Sequence, residues 1–275
     1  MNIAKAMNYI DAGAGYPILM GHSYLFDKEM WAPQIKTLSE NFRLIVPDLW
    51  GHGESPALPK RTGSLTDLAY DHLQLMDRLE IEEFAIVGLS VGGMWGAELA
   101  VLAPKRVKAL MLFDTYLGSE DIEVKNNYFN MLMAVKAAGK IPPPLVSYIV
   151  SQFYSAHASN KDKTALIKYL SSLPSATLRE SIVPLGKLIF GRPDRLSILD
   201  RIKCPVHIAT GEFDLPRPPE ESQMMARWSG HKFTPIPHAG HISNRENPQF
   251  VTTLIKDFIN KNTADSSLHV RPEAG

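Results

Sequence analysis

The chain has 275 residues, 45% of them hydrophobic and 21% charged, and its 29 basic side chains are matched by 29 acidic ones. That length suits one large domain or a core with a modest insertion, and a balanced surface has nothing to attract nucleic acid or an anionic membrane. The single cysteine, Cys204, excludes an internal disulfide framework and the usual zinc spacings; no run approaches a membrane span, and the N-terminus lacks the apolar core of a secretory leader, so a cytoplasmic location is expected.

Residues 5–10 read as an edge strand and 11–15 as a turn. Residues 17–21 read as a buried strand running into His22-Ser23-Tyr24. Trp31, Ile35 and Leu38 have helical spacing within 31–40; residues 42–46 are the next strand and 47–55 the loop after it. Leu65, Leu68, Ala69, His72, Leu75, Met76 and Leu79 share one face of an amphipathic helix. A short apolar run from Ala85 then breaks at Gly88-Leu89-Ser90-Val91-Gly92 and continues with helical spacing to Leu102, which reads strand, sharp turn, helix. Residues 107–113 form another strand, ending in Asp114-Thr115. This alternation implies an α/β architecture with a mostly parallel central sheet and helices on both faces.

Between 116 and 199 the pattern changes to helical segments broken by prolines, with no convincing strand. Strand and helix alternate again as strand 205–211, helix 218–228, strand 232–237 and, after a loop, helix 248–260. The expected organisation is therefore a core of 1–115 and 200–261, a helical cap of 116–199 inserted before the late strands, and a tail of 262–275 that reads as disordered. An insertion there lies over the carboxyl ends of the strands, where open α/β sheets bind ligands. Tyr128, Phe129, Met131, Met133, Tyr148, Phe153 and Tyr154 are its candidate lining side chains, although each packs the cap onto itself as readily. Ser23, Trp31, Phe129 and Met133 are the expected pocket residues.

Chemistry centres on Ser90. A Gly-x-Ser-x-Gly turn between strand and helix holds the serine in backbone angles that only small neighbours tolerate, and it aims a helix N-terminus at the reacting atoms. A serine hydroxyl needs a base, an acid to orient that base, and donors for the developing oxyanion. At such an elbow the acid and then the histidine follow the serine along the chain. Among His207, His231, His238, His241 and the tail's His269, the loop Pro237-His238-Ala239-Gly240-His241 ends at the elbow's edge. His241 is the expected base, with His238 as the alternative. Asp214, in Gly211-Glu212-Phe213-Asp214, is the expected acid; Glu212 and Asp114 are its rivals. The N–H groups of Val91 and Tyr24 are the expected oxyanion donors.

The segments Met30-Trp31-Ala32-Pro33-Gln34, Pro47-Asp48-Leu49-Trp50-Gly51-His52-Gly53, Gly88-Leu89-Ser90-Val91-Gly92-Gly93, Gly211-Glu212-Phe213-Asp214 and Gly240-His241-Ile242-Ser243-Asn244 together resemble the α/β-hydrolase fold family over about residues 5–115 and 205–260. Within it the chain is most similar to 3-oxoadipate enol-lactonase-like enzymes and related carboxylesterases. The resemblance implies a serine hydrolase of a carboxylic ester or lactone, with no cofactor, no metal and a small molecule as its partner. Many members have His-Gly where this chain has His22-Ser23; a serine there is frequent in the enol-lactonase-like branch. Haloalkane dehalogenases and epoxide hydrolases, also brought to mind, would need an aspartate at position 90. The family pattern makes His52 a turn residue and Asp48 a loop-anchoring acceptor. A slow-turnover ligand receptor on the same fold is the rival reading from another class, and perhydrolysis is a side activity that the sequence does not separate from ester hydrolysis.

Overall fold

The computed structural model describes residues 7–263. Lys5 and Ala6 of the expected first strand, His269 and the tail from 264 onward lie outside the described residues. A seven-stranded sheet runs through the molecule: β1 (Tyr9–Ala12), β2 (Tyr16–Gly21), β3 (Phe42–Pro47), β4 (Phe84–Leu89), β5 (Val107–Phe113), β6 (Val206–Gly211) and β7 (Lys232–Ile236). Its spatial order is β1-β3-β2-β4-β5-β6-β7. Only β1 is antiparallel to its neighbour. The first strand therefore lies later than the sequence suggests, and the turn shrinks to Gly13-Ala14-Gly15, where φ of +81° and +112° at the two glycines reverses the chain.

The central strands β4 and β6 are buried along their whole length, as a sheet covered on both faces requires. The covering helices are α1 (Ala32–Leu38), α2 (Leu65–Arg78), α3 (Val91–Leu102), α9 (Pro219–Ser229) and α11 (Pro248–Thr263), with the single turn α10 (Ser243–Glu246) before the last. Ser64 caps α2 by accepting the Asp67 N–H. α3 has no amphipathic stripe, being buried from Val91 to Ala100. α11 continues to Thr263, beyond the expected stop at Asn260, with Thr263 buried and its hydroxyl donated to the Ile259 carbonyl at 2.8 Å.

Between β5 and β6 the chain forms helices alone: α4 (Ile122–Ala138), α5 (Pro143–Phe153), α6 (Asn160–Ser172), α7 (Ser175–Thr177), a π-helical turn (Leu178–Ile182), α8 (Val183–Phe190) and a 3-10 turn (Leu196–Arg201). Of the prolines that break the sequence pattern, Pro143 and Pro144 open α5, where a missing N–H costs nothing, Pro142 and Pro174 immediately precede α5 and α7, Pro184 follows the π-helical turn at the start of α8, and Pro193 lies in the loop after α8.

Candidate active site

Ser90 lies at the junction of β4 and α3, with φ +57° and ψ −121°. That left-handed backbone is unfavourable for a residue with a β-carbon and is held by surrounding bonds. The Ser90 N–H donates to the Phe113 carbonyl at 2.8 Å, and the Ser90 carbonyl accepts from Gly93 N–H at 2.9 Å and from the Thr115 hydroxyl at 2.7 Å. The glycines around it are steric necessities. A β-carbon on Gly88 would lie 2.3 Å from the Gly92 carbonyl oxygen, and one on Gly92 would lie 2.3 Å from that of Gly21. Val91 opens α3, so its N–H belongs to the first turn, which has no intrahelical partner and carries the positive end of the helix dipole.

His241 sits in the loop after β7, buried, with Nδ1 3.0 Å from both carboxylate oxygens of Asp214. A carboxylate can only accept, so Nδ1 carries the proton and Nε2 is left for another partner. Asp214 Oδ1 also accepts the Arg217 N–H at 2.9 Å, which fixes the carboxylate in its turn. The Phe153 ring, from α5, lies against the imidazole at 5.2 Å between centroids. Ser90 and His241 both line one cavity between the strand ends and the helical insertion.

The rival acids bond to other partners. Asp114 is buried, accepts the Gly211 N–H at 2.8 Å, and takes the Ser243 hydroxyl on its other oxygen. Burial, and next the nearby Asp214 charge, push its carboxyl well above the usual range. Glu212 is exposed and receives the His238 N–H at 3.1 Å. His238 is itself exposed, its ring 5.5 Å from that of His157. His207 lies in β6 against the Thr234 hydroxyl at 2.9 Å. His231 immediately precedes β7.

The loop after β2 carries Tyr24, whose ring lines the cavity and whose hydroxyl donates to the Ile182 carbonyl at 2.7 Å. Two buried histidines hold that loop. His22 accepts the Leu49 N–H at 2.8 Å and donates to the Ser23 carbonyl at 2.8 Å. His52 accepts the Leu25 N–H at 3.2 Å and donates to the Trp50 carbonyl at 3.0 Å. Burial, reinforced by His22, lowers His52 to about 3, so it stays neutral with both nitrogens engaged. Asp48 accepts from the Lys28 N–H and Nζ and from the Glu54 N–H, all within 2.9 Å, which ties the two loops together.

The expected pocket residues do not line this cavity. Ser23 and Trp31 are fully buried, the Ser23 hydroxyl turned toward the Tyr24 carbonyl at 3.4 Å. Phe129 lies under Lys125 Nζ, 5.8 Å from its ring centre, and Met133 is 47% exposed. The helical repeat explains the miss: Tyr128, Met131, Leu132 and Val135 form the inner face of α4, and positions 129 and 133 fall one step round from it. Tyr148 and Phe153 do line the cavity, whereas Tyr154 is buried against Phe26.

One feature escaped the sequence reading altogether. Glu120 and Arg217 stand on the cavity wall, with Arg192 behind them. Glu120 accepts from Arg217 Nη2 and from Arg192 Nη1, each at 2.7 Å, and all three side chains are at least nine-tenths buried. Their positions are 72 and 97 residues apart, so neither spacing nor periodicity links them. Among the described residues no group of three or more His, Cys, Asp or Glu could hold a metal ion, and no helix is long and apolar enough to cross a membrane.

A family model described as alpha/beta hydrolase fold matches residues 16–248. A thermophilic esterase from Thermogutta terrifontis, solved with malate bound, superposes with a TM-score of 0.83 at 28% identity over 93% of each chain. The enol-lactonase from Burkholderia xenovorans LB400 superposes with a TM-score of 0.81 at 26% identity, over 92% of this chain and 96% of that one. In sequence, 3-oxoadipate enol-lactonase 1 of Acinetobacter baylyi is 24% identical over 245 residues, 88% of each chain.

Proposed function

The chain belongs to the α/β-hydrolase fold family, and from that premise we propose that it is a serine hydrolase that cleaves a carboxylic ester or lactone through an acyl-enzyme. Ser90 Oγ attacks the carbonyl carbon while His241 Nε2 takes its proton. The oxyanion is received by the N–H groups of Val91 and Tyr24. Collapse of the tetrahedral intermediate breaks the bond to the alkoxide, which leaves with the proton from His241. A water, deprotonated by the same imidazole, then attacks the acyl-enzyme and releases the acid. Asp214 holds the imidazole tautomer and stabilises the imidazolium in both halves. Residues 116–199 act as a cap over this site, on a core of 1–115 and 200–261.

The observation that carries this reading is the convergence on one cavity of Ser90, in its left-handed elbow, and of His241, paired through Nδ1 with a carboxylate. Ser90→Ala tests it. Hydrolysis of p-nitrophenyl acetate is expected to fall about 10⁶-fold in kcat, with the thermal transition preserved. Retained turnover would sink the assignment.

A further inference from the structure

The cavity that meets Ser90 is walled by hydrocarbon. Met94 from α3, Leu132 and Val135 from α4, Ile149 from α5, Ile182 from the π-helical turn and Ile189 from α8 all face it. Apart from Gln152 and the tyrosines Tyr24, Tyr128 and Tyr148, such a wall offers a ligand no hydrogen bond, and binding gains free energy chiefly from apolar surface removed from water. Two wall residues are charged, and they are bonded to each other. Glu120 has both oxygens occupied, by Arg217 and Arg192. Burial alone would raise its carboxyl, but Arg217 and Arg192 outweigh it and hold the group below the usual range. Arg217 is the wall's only cation among the described residues, His241 aside. Besides Glu120 it meets the Tyr116 ring at 5.7 Å, and its unpartnered Nη1 is shut away from solvent.

We infer that the part of the substrate entering this cavity is neutral and apolar, an alkyl or aryl substituent, and that a carboxylate is rejected there. The inference rests on the assignment of Ser90 as nucleophile. A carboxylate brought into the cavity would lose its hydration and find the wall's one cation, Arg217, already bonded to Glu120; both disfavour it. A hydrocarbon chain meets neither of these costs.

Binding to Ser90→Ala separates the pocket from the chemistry. Straight-chain p-nitrophenyl esters from acetate to octanoate are titrated by calorimetry, alongside the p-nitrophenyl monoester of adipic acid, which places a carboxylate at the end of a six-carbon acyl chain. Kd is expected to tighten about 4-fold per methylene (about 0.8 kcal/mol each) until the cavity is filled. The adipate monoester is expected to bind at least about 10-fold more weakly than the hexanoate, because its charge is desolvated without a partner. A flat series, or an adipate monoester bound as tightly as the hexanoate, overturns the inference. Should Ser90→Ala still hydrolyse the esters, the same slope and the same discrimination are read in kcat/KM, and it is the nucleophile assignment that fails. Ser90-dependent turnover of the acetate by the unmodified chain, together with a flat binding series, removes the apolar-pocket inference alone.

Discussion

Two aspartates at this site share a neighbourhood and differ in what they touch. Asp214 accepts from an imidazole nitrogen and a backbone N–H, whereas Asp114 accepts from a backbone N–H and a hydroxyl. With its carboxyl pushed up by burial and by Asp214, Asp114 resembles a neutral group, and an amide fits its partners: the Asn oxygen accepts the Gly211 N–H while its NH₂ faces the Ser243 hydroxyl. Asp114→Asn is therefore expected to retain esterase activity, measured with a p-nitrophenyl ester. Asp214→Asn removes the acceptor that fixes the His241 tautomer and is expected to lower kcat about 10⁴-fold. Equal losses in the two variants would contradict the division of roles. At this scale the sequence already named Ser90, His241 and Asp214, because a glycine-bracketed serine and two loops following strands are local patterns. It left Asp114 open as a rival, since a residue's hydrogen-bond partners cannot be read from its position alone.

At the scale of elements, the elbow works because β2, β4 and α3 approach each other more closely than any side chain allows. Gly92 stands against Gly21 and Gly88 against Gly92. Gly92→Ala is expected to cost about 3 kcal/mol in denaturant unfolding, since its β-carbon meets backbone that cannot yield. Gly63→Ala, whose nearest contact would be the Asp67 carboxylate at 3.9 Å, is expected to change stability by less than about 0.5 kcal/mol. A Gly92→Ala chain as stable as the parent would mean that the strand and helix can separate without loss. The strand-turn-helix order was legible here because strong punctuation marks it. The inner face of α4 was not, because Tyr128 and Phe129 are adjacent aromatics, and only packing against Phe190, stacked on Tyr128 at 4.0 Å, decides which one turns inward.

Across the whole molecule, the helical insertion is tied to the core at both of its stems by buried charge. Glu120 follows β5, Arg192 follows α8, and Arg217 follows β6, so one carboxylate joins three distant segments. Glu221 stands 3.6 Å from Arg217 Nε and is raised to about 7, chiefly by burial, from an ordinary value of 4.5. Between those two values the folded chain keeps a proton that the unfolded chain has released, so this group's contribution to stability falls as pH rises from about 4.5 to about 7. Glu221→Gln is expected to flatten that part of the profile, measured as urea midpoints of both chains from pH 5 to 8. Parallel profiles for the two chains would contradict it.

The sequence by itself determined the class of fold and singled out Ser90, His241 and Asp214 as the candidate reaction centre. Both are written in short-range signals: hydrophobic period, the glycines of the elbow, and loops at the ends of strands. It also determined that the segment between β5 and β6 is helical, because helical segments separated by prolines fill it and no strand pattern appears there. Only the tertiary structure decided which face of each inserted helix looks toward Ser90, which carboxylate meets His241, and that the charged wall residues Glu120 and Arg217 are bonded to each other. Those facts depend on side chains tens of residues apart being brought within 3 Å, and no local period or spacing encodes that proximity.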